Sequence, residues 1–440
     1  MDTTTTSATT LPAADQSPAD AAADRGPALL RPLRLRDFRL VFTGESISLI
    51  GDQFHFVALA WLTLQLTGSG LALGTVLMIA AVPRAVFMLV GGALSDRFSP
   101  RNLMLVSNAL RAVVVGIVAA LVLTGQAQLW HLFVLAAIFG VVDAIFHPAL
   151  NTIVPMLVPG RLLPPANALV QVMAQLSGLI GPAVAGIVVA AMQTGPAFVV
   201  DAASFAVAAG ALVLVRGGRR VPAASHPTQA AVAAESLLQT IRSGLAFAWN
   251  DPPVRALLIL NVAFNFAFTG PVSVGLPYLA DTRFEGGSIA LGVMLSAFGA
   301  GAVIGAVLAG SLRHVPRLGL VVLLVAMALG VGQALVGVAP NVWVALPIGA
   351  GIGLGVGFLN VRVIAWLQVR TPEHLRGRVM SLIMLSGVGL APFSLAISGA
   401  IIDLGAVTAV FAIAGAIIVL AAVGGLLSGI PRLMTDEAST

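Results

Sequence analysis

Long apolar runs alternate with short polar connections along almost the whole chain, from residue 40 to residue 428. Each run has about 20 residues or more, the length at which one α-helix crosses the hydrocarbon core of a bilayer. Twelve such helices are predicted, at 40–66, 71–93, 102–124, 129–150, 167–191, 197–215, 255–280, 288–311, 318–338, 342–367, 377–401 and 405–428. The pattern therefore predicts an all-α integral membrane protein.

The longest and most polar connection divides the runs into two sets of six. Short glycine-containing turns follow the second run, at Gly92-Ala93-Leu94, and the eighth, at Gly310-Ser311-Leu312-Arg313. Turns in corresponding places indicate internal duplication, as in transporters built from pseudo-symmetric repeats. The predicted organisation is a disordered tail at 1–34, a six-helix bundle at 35–215, a connector at 216–253, a second six-helix bundle at 254–428 and a tail at 429–440.

Composition supports the bilayer as the solvent and excludes several classes of protein. Of the 440 residues 58% are hydrophobic and 9% are charged, whereas about a quarter are charged in a soluble domain. The absence of cysteine excludes thiol catalysis and cysteine-ligated metal. We find no phosphate-binding loop, metal-ligand cluster, nucleophile elbow or basic face with interleaved aromatics. We therefore expect no enzyme, no cofactor or metal, and no nucleic-acid partner.

The arginines predict how the protein is oriented in the membrane. Nineteen of the 23 basic residues, all arginine, fall beside the connections at one end of the runs, and only Arg283 lies at the other end. Positive residues accumulate on the cytoplasmic side, so both termini and the central connector are predicted to be cytoplasmic. The heavy use of alanine, proline and arginine is typical of GC-rich bacteria, and we expect a multi-pass protein of a bacterial plasma membrane.

Two acidic residues inside the first run are candidates for carrying protons. A charge at mid-bilayer costs about 2.5 to 3.5 kcal/mol, so an acid there needs a partner or a wet cavity. Glu45 and Asp52 are seven residues apart and therefore share one face of the helix. We favour Asp52 as the proton carrier and take Glu45 second, with Gln53 as a candidate cavity residue. The plain alternative is that Asp52 only caps helix polar groups beside Gly51.

Three arginines inside the runs are candidate partners for such acids. Arg111 in the third run and Asp143 in the fourth lie at similar depths, which predicts an ion pair with either a structural or a coupling role. Arg84 and Arg362 are candidates for holding an acid or for selecting an anionic group on a substrate.

Neutral polar residues mark a further run. Asn261, Asn265 and Thr269 recur at four-residue spacing in the seventh run and form one polar stripe. The stripe either lines a cavity or hydrogen-bonds a neighbouring helix. For His147, beside Pro148 at the end of the fourth run, a structural or interfacial role is favoured over proton relay.

The connection after the second run resembles a family motif. Gly92-x-Leu94-Ser95-Asp96-Arg97-x-x-x-Arg101 resembles the loop between spans two and three of the major facilitator superfamily. Glycine and arginine there suit a tight turn beside the inner membrane face. The resemblance implies that Asp96 is a gate residue that meets the start of span eleven near Arg376 and Arg378. The plain alternative is a solvated loop acid. Ser99 and Pro100 depart from the family pattern.

The fifth run carries a second resemblance. The segment Gly178-Leu-Ile-Gly181-Pro182-Ala-Val-Ala-Gly186 is similar to the glycine-proline motif of antiporters and exporters in that superfamily. Pro182 removes a backbone donor and bends the helix, while the glycines permit close approach of another helix. Ordinary helix packing is the alternative.

Further short motifs are similar to the drug:proton antiporter branch, which includes macrolide, tetracycline and siderophore exporters. They are Phe38-Arg39-Leu40, Ile47-Ser48-Leu49-Ile50-Gly51-Asp52, Phe146-His147-Pro148-Ala149, Ala166-Asn167-Ala168-Leu169, Gly244-Leu245-Ala246-Phe247 and Arg376-Gly377-Arg378-Val379, with a departure at Leu150-Asn151.

This resemblance implies a monomeric exporter that exchanges a small amphipathic compound for protons, with spans one, four, seven and ten lining a central cavity. The rivals are an importer of the same fold, against which the glycine-proline motif argues, and a transport-dead membrane sensor or assembly protein, against which the intact acids argue.

Overall fold

Twelve helices that are long and apolar enough to cross a membrane make up the fold of the described residues. The computed structural model describes residues 27–218, 245–312, 315 and 317–428, and this part contains no β-strand. The helices are α1 Arg36–Thr67, α2 Gly70–Arg97, α3 Pro100–Leu123, α4 Leu129–Leu157, α5 Leu163–Met192, α6 Thr194–Leu214, α7 Pro252–Thr282 with a π-helical turn at Pro271–Gly275, α8 Ser288–Ser311, α9 Leu318–Val338, α10 Val342–Arg370, α11 Glu373–Asp403 and α12 Val407–Leu427. The predicted all-α membrane fold is confirmed.

Polar residues at the connections explain where several helices begin. The Ser69 hydroxyl accepts a hydrogen bond from the Ala72 amide at the start of α2, and Ser99 does the same for the Asn102 amide at the start of α3. Asn341 caps α10 in the same way. Such caps satisfy backbone donors that the first turn of a helix leaves without a partner.

The helices form two bundles of six, α1–α6 and α7–α12, which we call the N half and the C half. We call the end of the molecule that carries the start of α1 and the end of α12 the terminal end, and the opposite end the distal end. Two helix pairs join the halves, α5 with α8 and α2 with α11. This duplication matches the predicted pseudo-symmetric architecture.

The sequence predicts that the glycines after the second run are needed for a tight turn, and this prediction is wrong. Helix α2 continues to Arg97, so that only Phe98 and Ser99 separate it from α3. A Cβ atom at Gly91 would lie 1.9 Å from the backbone oxygen of Ala144, and glycine there permits α2 and α4 to pack closely. At Gly92 a Cβ atom would meet nothing within 4 Å. The turn itself therefore requires neither glycine.

The predicted boundaries of the N-terminal tail and of the connector also differ from those in the structure. Residues Ala28–Arg34, assigned to the disordered tail, form a 3₁₀ helix with Pro32 buried, and Leu33 packs in one hydrophobic cluster with the start of α1. Residues 245–250, assigned to the connector, are helical, and Ala248 is buried against the C half. The remaining tail and connector predictions concern 1–26, 219–244 and 429–440, which lie outside the described residues.

Candidate functional site

The N half encloses a cavity lined mainly by α1 and α4, with smaller contributions from α2, α3 and α5. Its empty space, including the mouth, is about 1420 Å³. The titratable residues on its wall are Glu45, Asp52, His55, Arg84, Arg111, Asp143 and His147. Six of these seven residues were singled out by the sequence, and helix packing brings them to one cavity. His147 also lies on the cavity wall, and the choice between a structural or interfacial role and proton relay stays a prediction.

An arginine and an acid lie at the centre of the polar cluster, the name used here for these seven titratable residues of the cavity wall. Arg111 pairs with Asp143, as their depths predicted, and is only 3% exposed. Its guanidinium carbon lies 4.6 Å from the ring centre of Phe146 and 5.4 Å from that of Phe205. Arg84 approaches the other oxygen of Asp143 at 3.4 Å. Two arginines from different helices therefore hold one carboxylate in the cavity wall.

The two acids of α1 have different surroundings. Glu45 is 8% exposed and accepts a hydrogen bond of 3.1 Å from the Asn108 amide. Asp52 forms no hydrogen bond among the described residues, although Arg111, Asp201, Asp143 and His55 lie close enough to act on it electrostatically. The alternative in which Asp52 caps the helix beside Gly51 has no hydrogen bond to support it. Asp52 is therefore the acid available to a proton or a ligand in this cavity.

Sequence reasoning missed a buried pair behind the cavity. His55 Nδ1 lies 2.9 Å from Asp201 Oδ2, and Asp201 is completely buried. The signal was an aspartate in the middle of the sixth apolar run, with no other titratable residue in α6. His55 follows Asp52 by three residues, which places both on one side of α1.

The C half encloses a second cavity of different character, with about 990 Å³ of empty space including its mouth. Asn261 and Asn360 are its only polar lining residues among those described, and the rest of the wall is aliphatic apart from Phe264. Asn261 also donates to the hydroxyl of Ser386 on α11 at 2.5 Å. At Asn261 the polar stripe therefore both lines a cavity and hydrogen-bonds a neighbouring helix.

Three predicted cavity residues point elsewhere. Asn265 donates to the backbone oxygen of Asn261 at 2.8 Å and lines neither cavity. Gln53 packs against Gly181, where a Cβ atom would lie 2.5 Å from the Gln53 side chain. Arg362 donates to the backbone oxygen of Leu312 at the end of α8. Helix α10 is rotated so that Asn360 rather than Arg362 faces the cavity, so neither Gln53 nor Arg362 occupies the predicted position.

The glycine-proline motif of α5 forms the joint with α8. A Cβ atom at Gly186 would lie 2.4 Å from the backbone oxygen of Ser288, and one at Gly292 would lie 2.3 Å from that of Pro182. The Ala183 amide donates to the Ser296 hydroxyl across this joint at 3.1 Å. Further along, a Cβ atom at Gly299 would lie 2.8 Å from the Gly178 backbone oxygen. The motif therefore brings the two halves together in direct backbone contact.

A second joint closes the distal end between α2 and α11. The carboxylate of Asp403 accepts hydrogen bonds from the Ser69 hydroxyl at 2.7 Å and the Leu71 amide at 3.1 Å. The last residue of α11 thus caps the first turn of α2, where the helix dipole favours a negative charge. The hydrogen bonds between the halves that the structure describes all lie in the distal halves of the helices that make them.

Replacing Asp403 with alanine is expected to loosen the distal closure about two- to fivefold. The contact is exposed, and a charge at a helix N-terminus contributes about 0.3–1 kcal/mol. The chain lacks cysteine, so spin labels at cysteines replacing Gln126 and Pro340, exposed in distal turns of opposite halves, report their separation. We expect the longer-distance population to grow in Asp403→Ala. Asp281→Asn, at another exposed distal acid, is the control, and equal distributions in both variants would contradict the prediction.

The predicted gate loop is only partly described. Arg101 donates to the backbone oxygens of Leu212 at 2.8 Å and Val213 at 2.9 Å, which satisfies acceptors at the end of α6. Arg97 is exposed. The side chain of Asp96 lies outside the described residues, and its gating role stays a prediction. Within the N half, Arg101 serves to hold α3 against α6.

Comparisons with known proteins agree with this architecture. The sequence model of the transmembrane secretion effector family matches residues 28–440. The chain is 28% identical to the multidrug efflux pump Tap of Mycolicibacterium fortuitum, over 82% of this chain and 88% of that protein. It is 23% identical to macrolide efflux protein A of Streptococcus pyogenes, over 78% and 84%. These relatives are transporters rather than enzymes.

Solved structures show the same fold. A peptide transporter POT bound to sulfate superposes with a TM-score of 0.67 at 16% identity, covering 90% of this chain and 96% of that one. The nucleoside transporter NupG superposes with a TM-score of 0.64 at 12% identity, covering 90% and 98%. Twelve membrane helices in two joined halves, a polar cavity and the family match agree: the chain belongs to the transmembrane secretion effector family of the major facilitator superfamily.

Proposed function

We propose that the protein exports small amphipathic compounds in exchange for protons by alternating access. The contrast between the two cavities carries this proposal. The N-half wall holds three carboxylates, two arginines and two histidines, whereas the C-half wall offers two asparagines among aliphatic groups and one aromatic ring. A drug-sized apolar ligand suits a mostly apolar cavity with few polar groups. Proton exchange needs titratable groups that meet water in a membrane interior.

The proposed direction is outward, with the terminal end in the cytoplasm. Most of the described arginines lie at the terminal end, which is the charge excess typical of cytoplasmic segments. The structure is closed on the distal side, so the cavities are separated from the external face in this state. The names of the relatives, a multidrug pump and a macrolide efflux protein, support export of drugs or secondary metabolites. The proposed state is a monomer, as the family resemblance implies.

Alternating access gives each group in the N half a proposed role. Asp52 takes up a proton when its side of the cavity is closed to the cytoplasm and releases it when Arg111 approaches or the cavity wets. Arg111 and Asp143 hold the wall together and transmit a change in charge to Asp52. The α5–α8 and α2–α11 joints separate when the two halves rock.

The proposal is tested in inverted membrane vesicles with an acid interior, using erythromycin as the macrolide probe beside a mixed library of antibiotics and metabolites. Wild type is expected to accumulate erythromycin, and Asp52→Asn is expected to reduce the accumulation ratio to about 1. One exchanged proton supports about tenfold accumulation per pH unit. Asp281→Asn is expected to behave as wild type. Failure of the folded wild type to accumulate any compound would favour import or a role other than transport.

A further inference from the structure

The buried pair His55 and Asp201 joins the cavity to the interior of the N half. His55 is on the cavity wall, and its side chain is 12% exposed. Asp201 is 0% exposed and lies behind it on α6. Their 2.9 Å contact uses Nδ1 of the ring, which leaves Nε2 as the nitrogen available to the cavity. The pair thus has an open side and a sealed side.

The sealed side is poorly suited to a permanent negative charge. Asp201 Oδ1 is buried and has no hydrogen-bond partner among the described residues. Phe198 and Phe205, on the same helix, are completely buried beside it. A buried carboxylate with one oxygen unsatisfied is costly unless a proton or a cation neutralises it. His55 is the group placed to supply that proton.

Packing holds the imidazole in the orientation that the contact requires. The ring stacks on Phe139 with centroids 4.3 Å apart and planes 10° apart, and it meets Phe198 edge-on at 6.1 Å. Gly51 permits α1 to pack this closely on α6, because a Cβ atom there would lie 1.9 Å from Ser204 Oγ. His55 is therefore fixed between the cavity and Asp201, which is the geometry of a relay.

We propose that His55 and Asp201 together hold the exchanged proton between its uptake and its release through Asp52, with His55 passing it between the cavity and Asp201. The inference deepens the proposed proton antiport and rests on it. In the empty state Nδ1–H of a neutral imidazole donates to the Asp201 carboxylate. A proton from the cavity adds to Nε2, and the Nδ1 proton moves to Oδ2. The pair then consists of a neutral imidazole and a neutral acid, and its net charge has changed from −1 to 0. Release reverses both transfers.

The other titratable groups of the cavity wall come from four helices, and two further groups lie at the distal end of α7. Asp52 and Glu45 lie on α1, Arg111 comes from α3, Asp143 and His147 from α4, and Arg84 from α2, while Tyr278 and Asp281 lie in the last turns of α7, which pack near α1. Arg111 acts electrostatically on both Asp52 and Asp201. Movement of Arg111 toward the pair would favour loss of its proton, which couples the pair to the occupancy of the cavity.

The test separates transport from coupling in Asp201→Asn. Exchange of labelled erythromycin across proteoliposomes at equal pH needs no net proton movement, and we expect the variant to retain it. Accumulation driven by one pH unit in inverted vesicles is expected to fall about tenfold, to a ratio of about 1. Ser204→Ala, which removes a neighbouring buried hydroxyl, is expected to behave as wild type, and Asp201→Glu is expected to restore part of the accumulation.

The outcomes distinguish this inference from the proposed function. Normal accumulation in Asp201→Asn would overturn the role of the pair and leave antiport intact. Loss of exchange in all three variants, Asp201→Asn, Asp201→Glu and Ser204→Ala, would show that these residues serve helix packing. That result would also overturn the inference. If wild type exchanges erythromycin without response to a pH gradient, antiport itself is wrong.

Infrared difference spectra of the purified protein between pH 5.5 and 8.5 supply a readout that needs no substrate. We expect a carboxylic-acid band that is lost as the pH rises and is weaker in Asp201→Asn than in wild type. An identical band in both proteins would overturn the inference.

Discussion

Replacing Arg111 with alanine is expected to abolish transport and to lower the free energy of unfolding by about 3–5 kcal/mol. Arg111 is buried and is the close partner of Asp143, and its guanidinium lies over three phenylalanine rings. Its removal leaves a carboxylate inside the membrane with Arg84 alone to neutralise it. Thermal melting of the purified protein and vesicle accumulation of erythromycin measure the two effects.

Matched variants separate lost pairing from lost packing. Arg84 is 45% exposed and approaches Asp143 at 3.4 Å, so Arg84→Ala is expected to cost less than about 1 kcal/mol. The double variant Arg111→Ala with Asp143→Ala removes both charges and is expected to be more stable than Arg111→Ala alone. Equal losses of stability in Arg84→Ala and Arg111→Ala would contradict this account of the ion pair.

Replacing Gly292 with alanine is expected to shift the protein about five- to 150-fold toward states open at the distal end. The added methyl group would lie 2.3 Å from the Pro182 backbone oxygen, and backbone cannot move aside as a flexible side chain can. Overpacking of this kind typically costs about 1–3 kcal/mol. Because the contact joins the two halves, the added methyl group destabilises only the state in which the distal end is closed.

The spin-label pair at positions 126 and 340 measures this shift as a larger population of long distances. Gly310→Ala is the control on the same helix, because a Cβ atom there meets nothing within 4 Å. We expect its distance distribution to match that of the spin-labelled protein without a glycine substitution. An unchanged distance distribution in Gly292→Ala would show that the α5–α8 contact does not determine how far the distal end is closed.

Much of the candidate site follows from depth in the membrane alone. Arg111 and Asp143 lie at similar distances from the ends of their helices, and an unpaired charge at that depth is costly, so their pairing could be predicted. Glu45 and Asp52 share one face of α1 by spacing alone. These predictions need only the rise and period of a helix.

Predictions that depend on how a helix is rotated were less successful. Gln53 and Arg362 lie on helices that line the cavities, yet Gln53 faces Gly181 on α5 and Arg362 faces the end of α8. His55 and Asp201 are 146 residues apart, and their contact depends on the packing of α1 against α6. The Asp403 cap depends on the docking of one half against the other.

The sequence by itself determined the twelve membrane helices and their division into two halves, because each span must satisfy its own backbone and present apolar side chains to lipid wherever its neighbours lie. Only the tertiary structure decided which polar side chains meet where the contact depends on how a helix is rotated. Close packing selects one rotation for each helix, and that rotation brings His55 to Asp201, turns Arg362 away from the cavity and places Asp403 at the start of α2.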